Sequence, residues 1–312
     1  MFGLLKRKTA AKGRIGIAIS GDRMALAIVR RDSSGGPVLE RCESIPVDAS
    51  AGPDAAVAAL RALNLPNMAI SGVLQTNEYQ LALVETPDVP PAELRAAMRW
   101  RLRDTIDFRV EDAVIDVFDI PAQSRGSQGR MMYAVAARLG AVEKQSTLLA
   151  GFPGFDVVDV PELCLRNLVG LLPTAANGIA MLHMSESTAT VVLVRGTTFY
   201  FARQMNLQAA MADGDAPGSG KLNAESVVLE LQRSLDYYER HFDQPPITRV
   251  AIAPLGDRAS SLAADLGAES GFDVSILDLN ALLQCATPLN QDEQSHCMLA
   301  VGAALRQERR SL

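Results

Sequence analysis

One local pattern occurs twice in this chain, and it limits the folds that the chain can adopt. Short apolar strands joined by tight turns form one meander near the start and another after the midpoint. The expected strands are Arg14–Ser20, Met24–Val29 and Val38–Val47, then Gly178–Ser185, Ala189–Arg195 and Thr197–Met205. Because helices and further strands follow each meander, the sequence predicts a duplicated α/β unit in two lobes of similar topology. Two unrelated domains are the alternative.

The longest expected helix lies in the second half, over Asn223–Phe242. Its apolar residues recur at spacings of three and four, as in a helix that buries one face against a sheet. These residues are Val228, Leu231, Leu235, Tyr238 and Phe242. A coiled-coil seam is the alternative, but one short helix without further heptads favours a core role. The remaining expected helices and strands are Asp54–Leu63, Met68–Leu74, Gln80–Glu85, Val114–Ile120, Met131–Ala137, Ala259–Leu266 and two strands near Arg249 and Leu277.

Composition excludes several functional classes. The chain has 30 Lys and Arg against 36 Asp and Glu, a net charge of −6, so it offers nucleic acid no general cationic surface. No run reaches the roughly 18 apolar residues that span a bilayer, and the start lacks the apolar region of a secretory signal. The four cysteines are scattered without a metal-ligand spacing, so we expect free thiols and no metal site. The three histidines accompany no nucleophile motif, so hydrolase chemistry is not indicated.

The Gly/Pro-rich segment Met211–Lys221 ends in a sequence that imitates a phosphate-binding loop. The motif needs Gly where this chain has Asp215, and Ser or Thr where it has Leu222. We therefore expect a flexible connection at this point.

Several longer strings resemble one known family. They are DVVDVPELCLRNL from Asp156, TTFYFARQM from Thr197, ELQRSLDYYERHF from Glu230, HCMLAVGAALR from His296, and the expected helix AELRAAMRWRLRDTIDF followed by AVIDVFDIPA. The chain resembles the PilM family of type IV pilus assembly proteins over Ile15–Arg306, and within it the MshI branch of the mannose-sensitive haemagglutinin (MSHA) pilus. The resemblance implies an actin-like, ribonuclease-H-like fold of two lobes. The expected ranges are a basic tail over 1–14, a first lobe over 15–160 with an inserted subdomain at about 86–150, and a second lobe over 161–312.

The resemblance also implies a function. Members of this family act in a cytoplasmic ring at the inner membrane and bind the cytoplasmic tail of a single-span PilN-like protein. The secretion protein GspL is similar in fold but carries its own membrane span, whereas here attachment would be through a partner. Pilus assembly motor components and further copies of the chain are other implied partners, and nucleic acid is not.

Actin-like ATPases hold magnesium through an acid in the first hairpin of each lobe, because this hard cation prefers oxygen ligands. The positions aligned with those hairpins are Ala18, Ser20 and Gly21 in the first lobe, and His183 and Ser185 in the second. A methyl group and an imidazole do not replace two carboxylates, and the adenine-contacting turn keeps only Gly256. The sequence therefore predicts no cofactor and no hydrolysis. Substitution of the lost acids by Asp22 or Glu186, and weak ATP binding through backbone amides, stay open.

The resemblance implies a tail-binding groove near the inserted subdomain. Within the expected helix, Arg95, Arg99 and Arg103 recur every fourth residue, and Leu94, Met98 and Leu102 line another face. The expected contact residues are Arg95, Met98, Arg99, Trp100 and Arg103. A mixed apolar and cationic surface suits a short peptide with acidic or polar side chains. The alternative is a solvated face whose arginines pair with Glu93, Asp104 and Asp107.

The first residues are basic. Lys6, Arg7 and Lys8 precede any acid and follow three apolar side chains, so they are expected to contact an anionic membrane surface. A solubilising tail explains them equally well. The leading hypothesis is a non-catalytic scaffold of pilus assembly, cytoplasmic and peripheral at the inner membrane. An ATP-driven enzyme or filament former is the second hypothesis, and a small-molecule kinase on the same fold is the last.

Overall fold

The computed structural model describes residues 13–47, 53–124, 129–185, 188–206, 224–256 and 258–308. Its strands are β1 (Gly13–Ser20), β2 (Arg23–Arg31), β3 (Pro37–Pro46), β4 (Ala69–Val73), β5 (Tyr79–Glu85), β6 (Ala113–Asp119), β7 (Met131–Arg138), β8 (Phe155–Asp159), β9 (Ile179–Met184), β10 (Thr188–Arg195), β11 (Thr198–Asn206), β12 (Arg249–Ile252), β13 (Asp273–Ile276) and β14 (Gln284–Cys285). Its α-helices are α1 (Pro53–Ala62), α2 (Leu94–Leu102), α3 (Leu139–Leu149), α4 (Pro161–Val169), α5 (Ala224–His241), α6 (Arg258–Ser270), α7 (Leu279–Leu282) and α8 (Gln291–Ala304).

The two meanders form the starts of two sheets with the same strand order. The first sheet runs β14-β3-β2-β1-β4-β8 and the second β11-β10-β9-β12-β13. In each sheet the first three strands are antiparallel neighbours, and the two later strands join them in parallel. Leaving β14 aside, the orders match strand for strand, which confirms the duplicated two-lobed α/β fold.

Alternating side chains of the first meander give its sheet two different faces. Ile15 and Ile17 pack with Leu60 of α1 and Leu149 of α3 in one core. Gly16, between the two isoleucines, points to the opposite face and meets α8. The sheet is therefore covered on both sides by helices.

The second sheet is covered by α5 in the way its stripe predicts. All five apolar residues of that stripe are buried, and Tyr238 is 0% exposed. Tyr200 of β11 contacts both Tyr238 and Phe242 edge to face, with ring centroids 5.2 and 5.0 Å apart. The packing role of this helix is confirmed.

A third sheet, β5-β7-β6, forms an inserted subdomain between β4 and α3. It pairs residues 79–138, and one of its faces carries α2, whose Met98 and Leu102 are both 0% exposed. The expected range of about 86–150 begins just after β5, so it leaves this strand out, and it includes α3. In the structure α3 packs on the first lobe, because Leu148 and Leu149 belong to the core beneath α1.

The end of the chain returns to the first lobe. Strand β14 pairs with β3, and α8 lies across β1 and β2, whereas the sequence places all of 161–312 in the second lobe. The contact is close, since a Cβ atom added to Gly16 would lie 1.9 Å from the carbonyl oxygen of Ala300. On the other side of α8, a Cβ atom on Gly302 would lie 2.4 Å from the carbonyl oxygen of Cys164 in α4. Helix α8 is thus wedged between the first sheet and α4.

All four cysteines lie in the described part of the chain and are free thiols, as expected. None of the described helices combines the length and the apolar character that a membrane crossing requires.

The substitution Gly16→Ala tests the close packing of α8 on the first sheet. The new methyl group has no space beside Ala300, so we expect the free energy of unfolding to fall by roughly 3 kcal/mol. Gly267→Ala in α6 is the matched control, because a Cβ atom there meets nothing within 4 Å and alanine favours a helix. Urea unfolding of both variants measures the difference, and equal stabilities would contradict the close contact.

Candidate functional site

The carboxyl ends of parallel strands from both sheets lie in one region between the lobes, which we call the cleft. In the first sheet Ala18 is level with Val73 of β4, and Val73 is level with Asp159 of β8. Ligand sites in open α/β sheets form at this edge, so the nucleotide positions expected from the sequence belong here. The lobes touch at the same place, where the hydroxyl oxygens of Thr76 and Thr188 are 3.4 Å apart.

The first hairpin offers no carboxylate at its expected anchor. Ala18 is 6% exposed and packs in the core that the two lobes share. Ser20 and Gly21 are exposed, and Gly21 has a φ of +57°, a conformation that glycine adopts without strain. Asp22 is exposed in the same turn. Its use as a magnesium ligand in place of the missing acid stays an untested alternative.

The second hairpin carries His183 and Ser185. Burial lowers the pKa of His183 to about 4, so its imidazole is neutral at neutral pH. The hydroxyl of Ser185 lies 2.8 Å from that of Thr188 and 3.2 Å from the Thr188 amide nitrogen, so its hydrogen-bond partners belong to the same hairpin. Gly256, with a φ of +59°, follows the carboxyl end of β12, which is the parallel neighbour of β9.

Two buried acids near the cleft were not foreseen, although both stand in the string that begins at Asp156. Asp159 is 2% exposed and its carboxylate lies 2.7 Å from the guanidinium of Arg306. Glu162, at 0% exposure, accepts hydrogen bonds from the Tyr79 hydroxyl at 2.6 Å and the Gln204 amide at 2.7 Å. Burial raises the pKa of Glu162, and these two donors oppose that change. The sequence signal that could have identified these two acids is their position, directly before or at the start of a helix.

The two expected anchor positions do not fit a magnesium-nucleotide complex. Magnesium prefers hard oxygen ligands, but the two anchor positions present a methyl group and a neutral imidazole. The buried carboxylates of Asp159 and Glu162 already have protein partners. In the part of the chain that the structure describes, no group of three or more His, Cys, Asp or Glu side chains could hold a metal ion.

Glu162 joins three parts of the molecule. Tyr79 belongs to the inserted sheet, Glu162 to α4 and Gln204 to the second lobe, and the Gln204 amide also donates to the Tyr79 hydroxyl at 3.0 Å. A second junction nearby is aromatic, with the rings of Phe118, Tyr133 and Phe199 at centroid distances of 5.3 to 5.4 Å. The inserted subdomain is therefore packed on the second lobe as well as on the first.

The arginines expected to form a ridge on α2 have separate roles. Arg95 lies 3.6 Å from Asp116, and Arg99 donates to the carbonyl oxygens of Val110 and Ala113 at 2.9 and 3.1 Å. None of these partners is an acid that the sequence suggested. Arg103 stands apart, because its guanidinium lies over the ring of Trp100 at 5.4 Å.

Trp100 is the most exposed large apolar side chain among the described residues, at 75%. Met98, two residues earlier, is 0% exposed and belongs to the core under α2. The prediction that Met98 contacts a partner is wrong, because the helix turns this side chain toward its own sheet. Trp100 and Arg103 remain as the exposed pair on the outer face of α2.

Some expected sites lie outside the described residues. They are the basic residues Lys6, Arg7 and Lys8, the alternative acid Glu186, and the Gly/Pro-rich segment Met211–Lys221.

The duplicated sheet order and the helix crossings define the class of fold: this chain has the actin-like ATPase fold. A solved "PilM-PilN type IV pilus biogenesis complex" contains a chain of similar structure, with a TM-score of 0.69 and 20% sequence identity over 94% of this chain and 98% of that one. A Bacteroides thetaiotaomicron protein with an actin-like ATPase fold and unknown function has a TM-score of 0.54 at 10% identity, over 94% and 98% of the two chains.

A weaker likeness, with a TM-score of 0.49 and 11% identity over 95% and 97% of the chains, is to the cytoplasmic domain of EpsL, an inner membrane component of the Vibrio cholerae type II secretion system. No family model matches the chain. No curated protein matches it either.

The neutral state of His183 predicts a loss of stability in acid. Above pH 6.5 neither state of the protein binds the proton; between pH 6.5 and 4 the unfolded chain binds it and folded His183 does not. The free energy of unfolding should therefore fall by about 2 kcal/mol more between pH 7 and 5 in the wild type than in His183→Gln. Urea unfolding at both pH values measures this, with exposed His296→Gln as the control that keeps the wild-type loss. Identical losses in all three proteins would refute a neutral His183.

Proposed function

We propose that this protein is a non-catalytic scaffold of a type IV pilus assembly machine, of the MSHA type, that binds the cytoplasmic tail of a single-span PilN-like membrane protein. The structural likeness to a chain of the PilM-PilN complex supports the partner class, over nearly the full length of both chains. The sequence strings that resemble the MshI branch support the pilus type.

The observation that carries the non-catalytic role is the chemistry of the cleft. The sequence resemblance aligns Ala18 and His183 with the metal-binding acids of the fold family, and the nearby carboxylates of Asp159 and Glu162 are held by protein partners. Without a carboxylate at either of these two positions, magnesium gains no fixed position between the lobes. The fold then serves as a rigid body that presents binding surfaces, with no cofactor.

The outer face of α2 is the surface that suits a peptide tail. Tryptophan and arginine are the residue types most enriched among side chains that dominate binding energy. Trp100 presents its ring to solvent, and Arg103 forms no ion pair within the described residues. The pair suits a tail that places an apolar side chain on the indole ring and a carboxylate on the guanidinium. Arg95 and Arg99 are exposed on the same helix, and their guanidinium groups are held by Asp116 and by the backbone after α2.

Binding of a membrane protein's tail would hold this chain at the cytoplasmic face of the inner membrane through its partner. Lys6, Arg7 and Lys8 would add a direct contact with anionic lipid. Motor components of the pilus machine and further copies of this chain are the remaining partners in the proposal.

Charge reversal and truncation on α2 test the tail site. We expect Arg103→Glu and Trp100→Ala each to weaken binding of a synthetic PilN-like tail peptide at least tenfold, because each removes one half of the exposed pair. The matched controls are Arg109→Glu, an equal charge change at a 77% exposed arginine, and Leu229→Ala, a loss of a 47% exposed apolar side chain on α5.

Calorimetric titration measures the affinities. Wild-type affinity in both α2 variants would remove α2 from the tail site, and no binding by the wild type would overturn the proposed function itself.

Nucleotide experiments separate this proposal from an ATP-driven alternative. We expect ATP to bind no more tightly with magnesium than without it, and phosphate release to stay at the buffer rate, because the cleft lacks the metal's ligands. Calorimetry and a phosphate-release assay provide the readouts. If the wild type hydrolysed ATP and Asp22→Asn abolished this hydrolysis, Asp22 would be the metal anchor and the protein would be an enzyme.

A further inference from the structure

Three of the four cysteines come together where the C-terminal part of the chain meets β3. Cys42 lies on β3 opposite Ala27, Cys285 lies on β14 opposite Leu39, and Cys297 lies on α8. All three belong to or pack against the same core, although the first is far from the others in sequence. Cys164, the fourth, is buried on α4.

Cys42 and Cys297 are direct neighbours. Ala27 is on the face of the first sheet that packs in the core shared with α8, and the side chain of Cys42 lies beside it on that face. Cys297 is 0% exposed on the sheet side of α8. Glu293, one helical turn before Cys297 on α8, lines the same cavity as Cys42, so this face of α8 turns Cys297 toward the Cys42 side of β3. Cys285 uses its thiol differently, 3.8 and 3.6 Å from the carbonyl oxygens of Leu279 and Leu283.

A cavity gives solvent access to one member of this pair. It has a volume of about 200 Å³ and is lined by residues 39–43 of β3, by residues 287–289 and by Glu293. Cys42 is half-buried on the wall of this cavity, whereas Cys297 lies behind it with no exposure. A small thiol reagent therefore meets Cys42 first.

We propose that Cys42 and Cys297 form a redox-convertible pair, in which a low-molecular-weight disulfide enters the cavity, reacts at Cys42 and leaves a disulfide that ties α8 to β3. In the first step the Cys42 thiolate attacks the reagent, forming a mixed disulfide and releasing one thiolate of the reagent. The Cys297 thiolate then attacks the Cys42 sulfur and releases the second. Two protein thiols lose two electrons and two protons, and the reagent disulfide becomes two thiols.

The surroundings make the exchange slow. The hydrogen bond with Cys297 raises the pKa of Cys42 most, and burial, Cys297, Glu293 and Cys285 raise it further. Little thiolate is then present at neutral pH, so the pair reacts more slowly than an exposed cysteine. Once formed, the bond closes most of the chain into one loop, which restricts the unfolded state strongly.

Peptide mapping of the full chain tests the pair. The reduced protein is incubated with oxidised and reduced glutathione at graded ratios, quenched in acid, alkylated and digested. We expect a peptide pair joined through Cys42 and Cys297, and an apparent Tm that is about 5 °C higher in the oxidised protein. Cys42→Ser should lose both effects, and Cys285→Ser should keep both.

The mapping needs no variant of the buried Cys297, so a folding defect cannot obscure the result. Failure to find the joined peptides at any glutathione ratio would overturn the proposal. A disulfide between Cys42 and Cys285 would also overturn it. So would a Cys42 that carries glutathione and forms no bond with Cys297.

Discussion

The rest of the structure depends on the close contact of α8 with two partners at once. At Gly16 of the first sheet and at Gly302 of α8 itself, a single added carbon would lie within 2.4 Å of a backbone oxygen. The absence of side chains at these positions lets backbone pack on backbone, where dispersion contacts are dense and a void or a clash is costly. Since α4 begins the second lobe and α8 returns to the first, this contact fixes how the lobes meet. The side chain of Asn167 adds a hydrogen bond to the Gly302 carbonyl at 2.9 Å.

The polar contacts of the cleft follow from that arrangement. Once α8 and α4 are adjacent, Arg306 reaches Asp159, and the start of α4 brings Glu162 between Tyr79 and Gln204. Glu162 thus connects the inserted sheet to the second lobe, and Asp159 pairs with Arg306, just after α8. Breaking such a buried set by removing one partner is costly, because it leaves a desolvated charge without compensation. The proposed scaffold role rests on this use of the cleft, and it leaves the exposed Trp100 of α2 as the surface for a partner.

The periodicity of apolar residues was sufficient to predict the helices and strands that bury one face. The strands of both meanders and α5 alternate or repeat clearly, and their expected bounds differ from the observed ones by only one or two residues. Helix α8 gave no such signal, because its polar residues are confined to its first half and its second half, from Cys297 on, is apolar and almost wholly buried. Strand β14 has two residues and no periodicity to detect. Within the candidate sites, the residue types at Ala18 and His183 are read directly from the sequence, whereas the inward turn of Met98 depended on where α2 meets its sheet.

The sequence by itself determined the duplication, the fold class and the residue types at the expected cleft positions, because these depend on short-range alternation and on residue type at fixed positions. Tertiary structure alone decided which arginines are available on α2, which acids are buried, and that Cys42 meets Cys297. Each of these depends on contacts between residues far apart in the chain. The physical reason is that exposure and pairing are properties of the packed surfaces, and a single strand or helix carries no record of what will cover it.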